Sequence, residues 1–156
     1  MVVKLHWHEK LQMNKLLLIA ALLISFFCEA KAQSEVIANI TNLRSNDGVC
    51  RACLFNNAAS FLECGKPYNC ISVSVKMKSA LAVFSNVQPG SYAIFVFHDI
   101  NNNNKMDKNF LGVPKEGYGA SNNRLPLAAA PHFEDNKFIV SDNNTVSLNI
   151  HLRNVF

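Results

Sequence analysis

The sequence predicts an all-β fold, a β-sandwich of about seven strands with one long ordered loop. Three observations predict it. Apolar and polar residues alternate in short runs, most cleanly where Val146, Leu148, Ile150 and Leu152 oppose Thr145, Ser147, Asn149 and His151. That two-residue period marks a strand with one buried and one solvated face. Turn signals separate the runs, and no stretch beyond residue 32 keeps a 3.6-residue period, so any helix is short. Residues 33–156 are also the right length for a single domain.

Val36, Ala38 and Ile40 alternate in the first strand, which closes at Arg44-Ser45-Asn46-Asp47-Gly48. A second strand runs from Val49 to Phe55. The stretch Asn56 to Asn69 is irregular and, with Cys64 inside it and Cys70 just beyond, predicts a cross-linked loop. Ile71, Val73, Val75 and Met77 then alternate with Ser72, Ser74, Lys76 and Lys78. Leu81 to Ser85 forms the next strand and ends at the turn Val87-Gln88-Pro89-Gly90. Phe138 and Val140 mark a short strand that turns at Asp142-Asn143-Asn144 before the last one.

Two segments depart from alternation. Tyr92 to Phe97 is apolar on both faces, with Tyr92, Ile94 and Val96 on one and Ala93, Phe95 and Phe97 on the other. Such a strand needs a cover on its outer side. From Asp99 to about His132 there is no period, yet Phe110, Leu111, Val113, Tyr118, Leu125 and Leu127 make the segment too apolar for disorder. Loops of that length in compact domains usually serve a function. The two departures explain each other if the loop folds back over the strand it follows.

Residues 1–32 read as a signal peptide. Lys15 precedes the uncharged apolar run of residues 16–27, and Ala30-Lys31-Ala32 supplies a small-residue cleavage site. Met13-Asn14-Lys15 is a compact start by itself, so His6 and His8 upstream are set aside as metal ligands. Phe26 and Phe27 stand where lipidation of Cys28 would need a small residue. The expected product is exported, periplasmic or extracellular, with no transmembrane segment in the mature chain. Its 11 Lys and Arg against 9 Asp and Glu leave a net charge of +2. That surface lacks the clustered basic footprint of a nucleic-acid binder.

Four cysteines remain after cleavage: Cys50, Cys53, Cys64 and Cys70. In a small exported domain an even count reads as two disulfides, with three connectivities open. A zinc site on Cys50-x-x-Cys53 is the competing reading, and residues three apart on a strand point to opposite faces.

The most distinctive segment is His98-Asp99-Ile100-Asn101-Asn102-Asn103-Asn104-Lys105-Met106-Asp107. Asp99, Asn101, Asn103 and Asp107 occupy positions 1, 3, 5 and 9 of a cation loop, with Lys105 offering its carbonyl at position 7. The spacing suits calcium, a hard ion that takes oxygen ligands. Asn104 holds the sixth position, where the chain must turn sharply and Asn tolerates a left-handed conformation. Phe110 stands where a twelfth-position Glu is usual; Glu116 is a carboxylate further on. Two carboxylates with two amides imply modest affinity. The competing reading is a set of Asx-turns at the tip of a strand. Downstream, Gly112, Gly117 and Gly119 permit unusual backbone angles, and His98, Glu116, Tyr118, Ser121 and Asn122 could line a ligand loop. Equally, those polar groups could satisfy the loop's own backbone.

Asn86-Val87-Gln88-Pro89-Gly90-Ser91-Tyr92-Ala93, then His98-Asp99-x-Asn101-x-Asn103, then Leu111-Gly112-Val113-Pro114-Lys115-Glu116-Gly117-Tyr118-Gly119-x-Ser121-Asn122-Asn123, together resemble the bacterial family named domain of unknown function 2141 (DUF2141). The resemblance runs from about Val36 to Leu152 and implies an exported bacterial protein without an established activity. In the family pattern the motif continues with Asn-Gly, and here Asn104 replaces that glycine. Pro89-Gly90-Ser91-Tyr92 also resembles the strand entry of transthyretin-like and carboxypeptidase-regulatory-like sandwiches, so the expected sandwich is immunoglobulin-like or transthyretin-like.

Three functions follow as expectations. The first is a non-catalytic binding or accessory module of the cell envelope, stabilised by calcium and meeting an envelope protein or a glycan. The second is a hydrolase using His98 with Asp99, Glu116 or Ser121, for which the chain has no nucleophile elbow or metalloprotease helix motif. The third is a purely structural domain whose long loop binds a partner.

Overall fold

The computed structural model describes Lys15 and residues 34–62, 66–127 and 129–155. The chain divides into two units, Met1–Ala32 and Gln33–Phe156. Apart from Lys15, the expected signal peptide and its cleavage site lie outside the described residues, as do Cys28 and Cys64. The second unit is nearly all β, so the predicted fold class is met.

Among the described residues eight strands run in the order β1 (Glu35–Thr41), β2 (Val49–Phe55), β3 (Asn69–Ser74), β4 (Ala80–Phe84), β5 (Gly90–Asp99), β6 (Tyr118–Ala120), β7 (Phe138–Val140) and β8 (Thr145–His151). A single-turn helix, α1 (Phe133–Asn136), precedes β7. One sheet has the order β4-β1-β8, the other β3-β2-β5-β6, and β7 pairs with the start of β5. Most pairs are antiparallel, but β1 and β8 run parallel from Glu35↔Thr145 to Thr41↔His151.

The two sheets face each other through the residues that alternation assigns to the inside. Val36, Ala38 and Ile40 of β1 meet Ala52 and Leu54 of β2, Ile94 and Val96 of β5, and Ile150 of β8, all 0 % exposed. Burial on that scale is the main favourable term in folding. Tyr92 enters the core at the start of β5, where its hydroxyl donates to the Gln88 carbonyl at 2.9 Å. A tyrosine bonded back to the chain a few residues upstream is the corner device of Greek-key sandwiches. Burial pushes the Tyr92 phenol up to about 12, with Tyr68 beside it adding to the rise.

Two elements differ from expectation. The third strand stops at Ser74, because Met77 and Lys78 take φ values of 50° and 57°. They form a two-residue turn closed by reciprocal Lys76–Ser79 backbone bonds of 2.9 and 3.0 Å. Met77 is therefore 89 % exposed, although the alternation runs through it. Strand β6 was not expected, and its central residue explains why. Gly119 faces inward, and a Cβ there would stand 2.8 Å from Ile150 Cγ2 and 3.0 Å from Leu152 Cδ2. The close approach of the other sheet excludes a side chain, so this strand has no apolar residue at its inward position.

The outer face of β5 has the cover its sequence demands. Asn104 to Met106, Lys108, Leu111 to Pro114, Leu127 and Ala129 to Pro131, from two stretches of the long loop, border a groove with Phe95 and Phe97. Phe61 and Phe133 extend the cover, packing edge to face against each other at a centroid distance of 5.8 Å.

Candidate functional site

Asp99 ends β5 and is 0 % exposed. Its Oδ1 accepts the Asn103 amide N–H at 3.0 Å and its Oδ2 that of Asn104 at 2.8 Å. The chain can fold onto this carboxylate because Asn102 and Asn104 take φ values of 58° and 62°. Asn104 thus adopts the left-handed conformation expected at the sixth position, at the cost a glycine would avoid. The turn before β2 abuts the same corner. Gly48, at φ 66°, has no room for a Cβ against the backbone of Asp99 and Ile100.

The rest of the loop converges on Asp107. The side-chain amides of Asn101 and Asn103 donate to its Oδ2 and Oδ1 at 2.8 and 3.0 Å. The amide oxygens of Asn101 and Asn103 in turn accept the N–H groups of Asn103 and Lys105, at 3.2 and 2.8 Å, as Asx-turns. Glu116, 4 % exposed, closes the neck of the loop. Its two oxygens accept the N–H of Ile100 and of Asp107, each at 3.0 Å. Phe110, at the twelfth position, is 94 % exposed and contributes no ligand.

The side chains of positions 3, 5 and 9 are in mutual contact through these hydrogen bonds, whereas position 1 accepts only backbone N–H groups. Oxygen is the correct donor for calcium. Each oxygen of Asp99, Asp107 and Glu116 already accepts an N–H, so a cation would draw on their second lone pairs and on the Asn101 and Asn103 amide oxygens. Among the described residues no three His, Cys, Asp or Glu side chains cluster as a metal site.

The other expected ligand-loop residues divide. His98 faces the inter-sheet core, 0 % exposed, with Nε2 2.8 Å from the Asp47 carbonyl and Nδ1 without a partner. A contact to a carbonyl makes Nε2 the protonated nitrogen. His98 shares no hydrogen bond with Asp99, Glu116 or Ser121, so the hydrolase constellation is not brought together. Ser121 Oγ donates to the Asn136 carbonyl and accepts the Ile94 N–H at 3.0 Å. The Asn122 amide reaches the carbonyls of Asp135 and Lys137 at 3.3 and 3.1 Å. These groups satisfy loop backbone.

Tyr118 has a different place. It lines a groove of about 1090 Å³ on the outer face of the β3-β2-β5-β6 sheet. Register builds the floor: Arg51 of β2 lies beside Phe97 of β5, which lies beside Tyr118 of β6, whose backbone bridges Arg153. One step along the strands, Cys53 lies beside Phe95. Arg51, Phe97 and Arg153 carried no signal as site residues, because they come from separate segments that only register brings together.

The family model described as an uncharacterized protein conserved in bacteria (DUF2141) matches residues 38–147. The chain belongs to this family. The resemblance carried by the proline-glycine entry, the Asp/Asn loop and the glycine-rich stretch is thereby shown. No curated protein matches the chain. A leucine-rich repeat protein from Bacteroides thetaiotaomicron is a structural match at 14 % identity and a TM-score of 0.37, over 80 % of this chain and 14 % of that one. That likeness is too slight to inform fold or function.

In this DUF2141 chain the cysteines correct one expectation. Cys53 and Cys70, directly paired across β2 and β3, form a disulfide with Cα atoms 4.1 Å apart. Cys50 is a free thiol, 0 % exposed in the inter-sheet core, so it belongs to no disulfide. The physical reason is strand alternation: Cys50 and Cys53 lie on opposite faces of β2. The same geometry argues against the zinc reading. Desolvation pushes the Cys50 thiol up to about 12, which keeps it protonated and inert.

Proposed function

We propose that this DUF2141 chain is an exported, non-catalytic binding or accessory module of the cell envelope, steadied by calcium at the Asp99–Asp107 loop. One observation carries the reading: the side chains of Asn101, Asn103 and Asp107 meet at 2.8 to 3.0 Å beside the turn that Asp99 closes. Asp99, Asn101, Asn103, Asp107 and the Lys105 carbonyl would hold the ion, which supplies a hard positive charge to two carboxylates packed into one loop. Binding there fixes the neck of the long loop and so the walls of the groove above Phe95 and Phe97. Export is supported by the leader pattern and by the disulfide, which persists in oxidising compartments. Among the described residues no helix is long and apolar enough to cross a membrane.

A second reading has its own observation. All the carboxylate oxygens of Asp99, Asp107 and Glu116 accept N–H groups, so the loop could be complete without an ion. Thermal unfolding with and without calcium separates the two. For a millimolar site, 10 mM calcium stabilises by about 1.4 kcal/mol and raises Tm by about 4–6 °C. Asp99→Asn with Asp107→Asn abolishes the rise. A wild-type Tm that ignores calcium at this concentration removes the cation and leaves the self-contained loop.

A further inference from the structure

The groove over Phe95 and Phe97 has a direction. At the level of Phe97 the floor reads cation, aromatic, aromatic, cation, from Arg51 through Phe97 and Tyr118 to Arg153. Lys105 stands at the same end, because the side chain of its neighbour Asn104 is tied to Arg51 at 2.6 Å, and Lys108 also lines the groove. Along the strands the floor turns apolar, through Phe95 and the Cys53–Cys70 bridge to Phe55, Leu62 and Pro131. Ala93, paired with Phe55, is four residues from Phe97, which makes the floor about 13 Å long.

Charge and exposure both point to a missing occupant. Four cations line the groove and, among its described residues, no Asp or Glu does. Arg51 and Arg153 are held by neutral oxygens of Asn104, Leu125 and Pro126, which leave their charges uncompensated. The one ion pair among the described side chains, Lys137 with Glu134, does not involve them. At the mouth, Leu111 and Leu127 are 72 % and 97 % exposed. Large apolar side chains grouped beside an apolar cleft mark a binding surface. The volume of about 1090 Å³ is at the upper end of small-molecule sites, which run to about 1,000 Å³.

We propose that this groove binds a single-chain anionic amphiphile, a free long-chain carboxylate, with its head at Arg51, Lys105 and Lys108 and its chain along Phe95 toward Phe55, Arg153 adding positive charge from the far side of the floor. Arginine suits such a head because its planar fork meets a carboxylate with two parallel hydrogen bonds. The chain covers Phe95 and draws Leu111 and Leu127 out of water. This inference rests on the binding-module reading and not on the calcium ion.

The test is calorimetric titration of the purified protein with octanoate, dodecanoate and hexadecanoate below their micelle concentrations, with hexadecanol as the uncharged control. Measurements are made with calcium and with EDTA. Binding is expected at one ligand per chain, tightening roughly ten-fold for each two methylenes between octanoate and dodecanoate. Hexadecanol binds at least ten-fold more weakly than hexadecanoate. Arg51→Gln with Lys108→Gln weakens hexadecanoate by about ten-fold and leaves hexadecanol unchanged, which a loss of folding would not do. Equal affinity for acid and alcohol, absence of binding, or binding only to anionic vesicles would overturn the proposal. So would a dimer in sedimentation that the carboxylate does not dissociate, since a second copy would then occupy the groove. If calcium leaves Tm unmoved while hexadecanoate binds, only the cation reading fails; the converse result sinks only the amphiphile.

Discussion

The two faces of β5 carry equally apolar side chains and meet different partners. Ile94 and Val96 are 0 % exposed against the opposite sheet. Phe95 and Phe97 point the other way, toward loops, and a groove remains between. β2 repeats the contrast, with Ala52 and Leu54 inside, Arg51 and Cys53 outside. A sheet offers a surface of fixed pleat, so side chains interdigitate along its whole length. A loop covers only where its own polar groups let it settle. Here it is pinned by Asp99 and Glu116 at the neck and by Ser121, Asn122 and Asn136 farther along. The inner face is therefore closed, and a groove stays open on the outer one.

The contrast breaks most readily by truncation. Ile94→Ala opens a cavity in a packed interface and should cost about 2–5 kcal/mol in urea unfolding. Phe95→Ala removes a larger side chain, but one that borders the groove and touches Tyr118 at a ring distance of 6.2 Å. It should cost about 1 kcal/mol, since partly exposed sites lose less than buried ones. Equal losses at the two positions would mean that the outer face is packed as tightly as the inner one.

The disulfide sharpens the same comparison. It is the covalent fixture of the outer face, joining residues 17 apart. Closing a loop of that length restricts the unfolded chain by about 3 kcal/mol on the chain-entropy account. Cys53→Ser with Cys70→Ser should therefore lower stability by about 3 kcal/mol, and a reducing agent should do the same to the wild type alone. A reducing agent that changes nothing in the wild type would show that the bridge is not formed in solution.

Legibility in the sequence follows the same division. Strands with one wet face declared themselves by alternation, and the doubly apolar Tyr92–Phe97 stretch announced its need of a cover. Alternation failed at Met77 because a period of two carries no information about φ. It failed at β6 because Gly119 replaces the inward side chain. The tight Asp99–Asp107 turn was legible as spacing, and the left-handed Asn104 with it, because both are local. Glu116 at the neck was visible only as a nearby carboxylate; its two backbone bonds depend on the fold. The groove was not legible, since Arg51, Phe97, Tyr118 and Arg153 become neighbours through register alone. The cysteine count misled at Cys50, where an even number suggested a second pair.

Cys50 and Cys53 give the finest probe of the contrast, three residues apart on one strand and opposite in chemistry. The Cys50 thiol is raised from 9.0 to about 12 by desolvation. A group raised in the folded state stabilises fully below its unfolded value and loses that contribution as pH rises toward the folded one. The window is therefore pH 9 to 12, and at pH 10 the loss is about 1.4 kcal/mol. Tyr92, raised from 10.0 in the same direction, adds to the decline at the upper end of that range. Urea midpoints between pH 7 and 11 should fall less steeply above pH 9 in Cys50→Ala than in the parent. Both are best measured with Cys53→Ser and Cys70→Ser in place, so that an unfolded thiolate has no Cys53–Cys70 bridge to attack. The Cys50→Ala curve should also start lower at neutral pH, because the methyl leaves a small cavity in the core. Parallel curves across the window would place Cys50 in contact with water and remove the distinction between the two faces of β2.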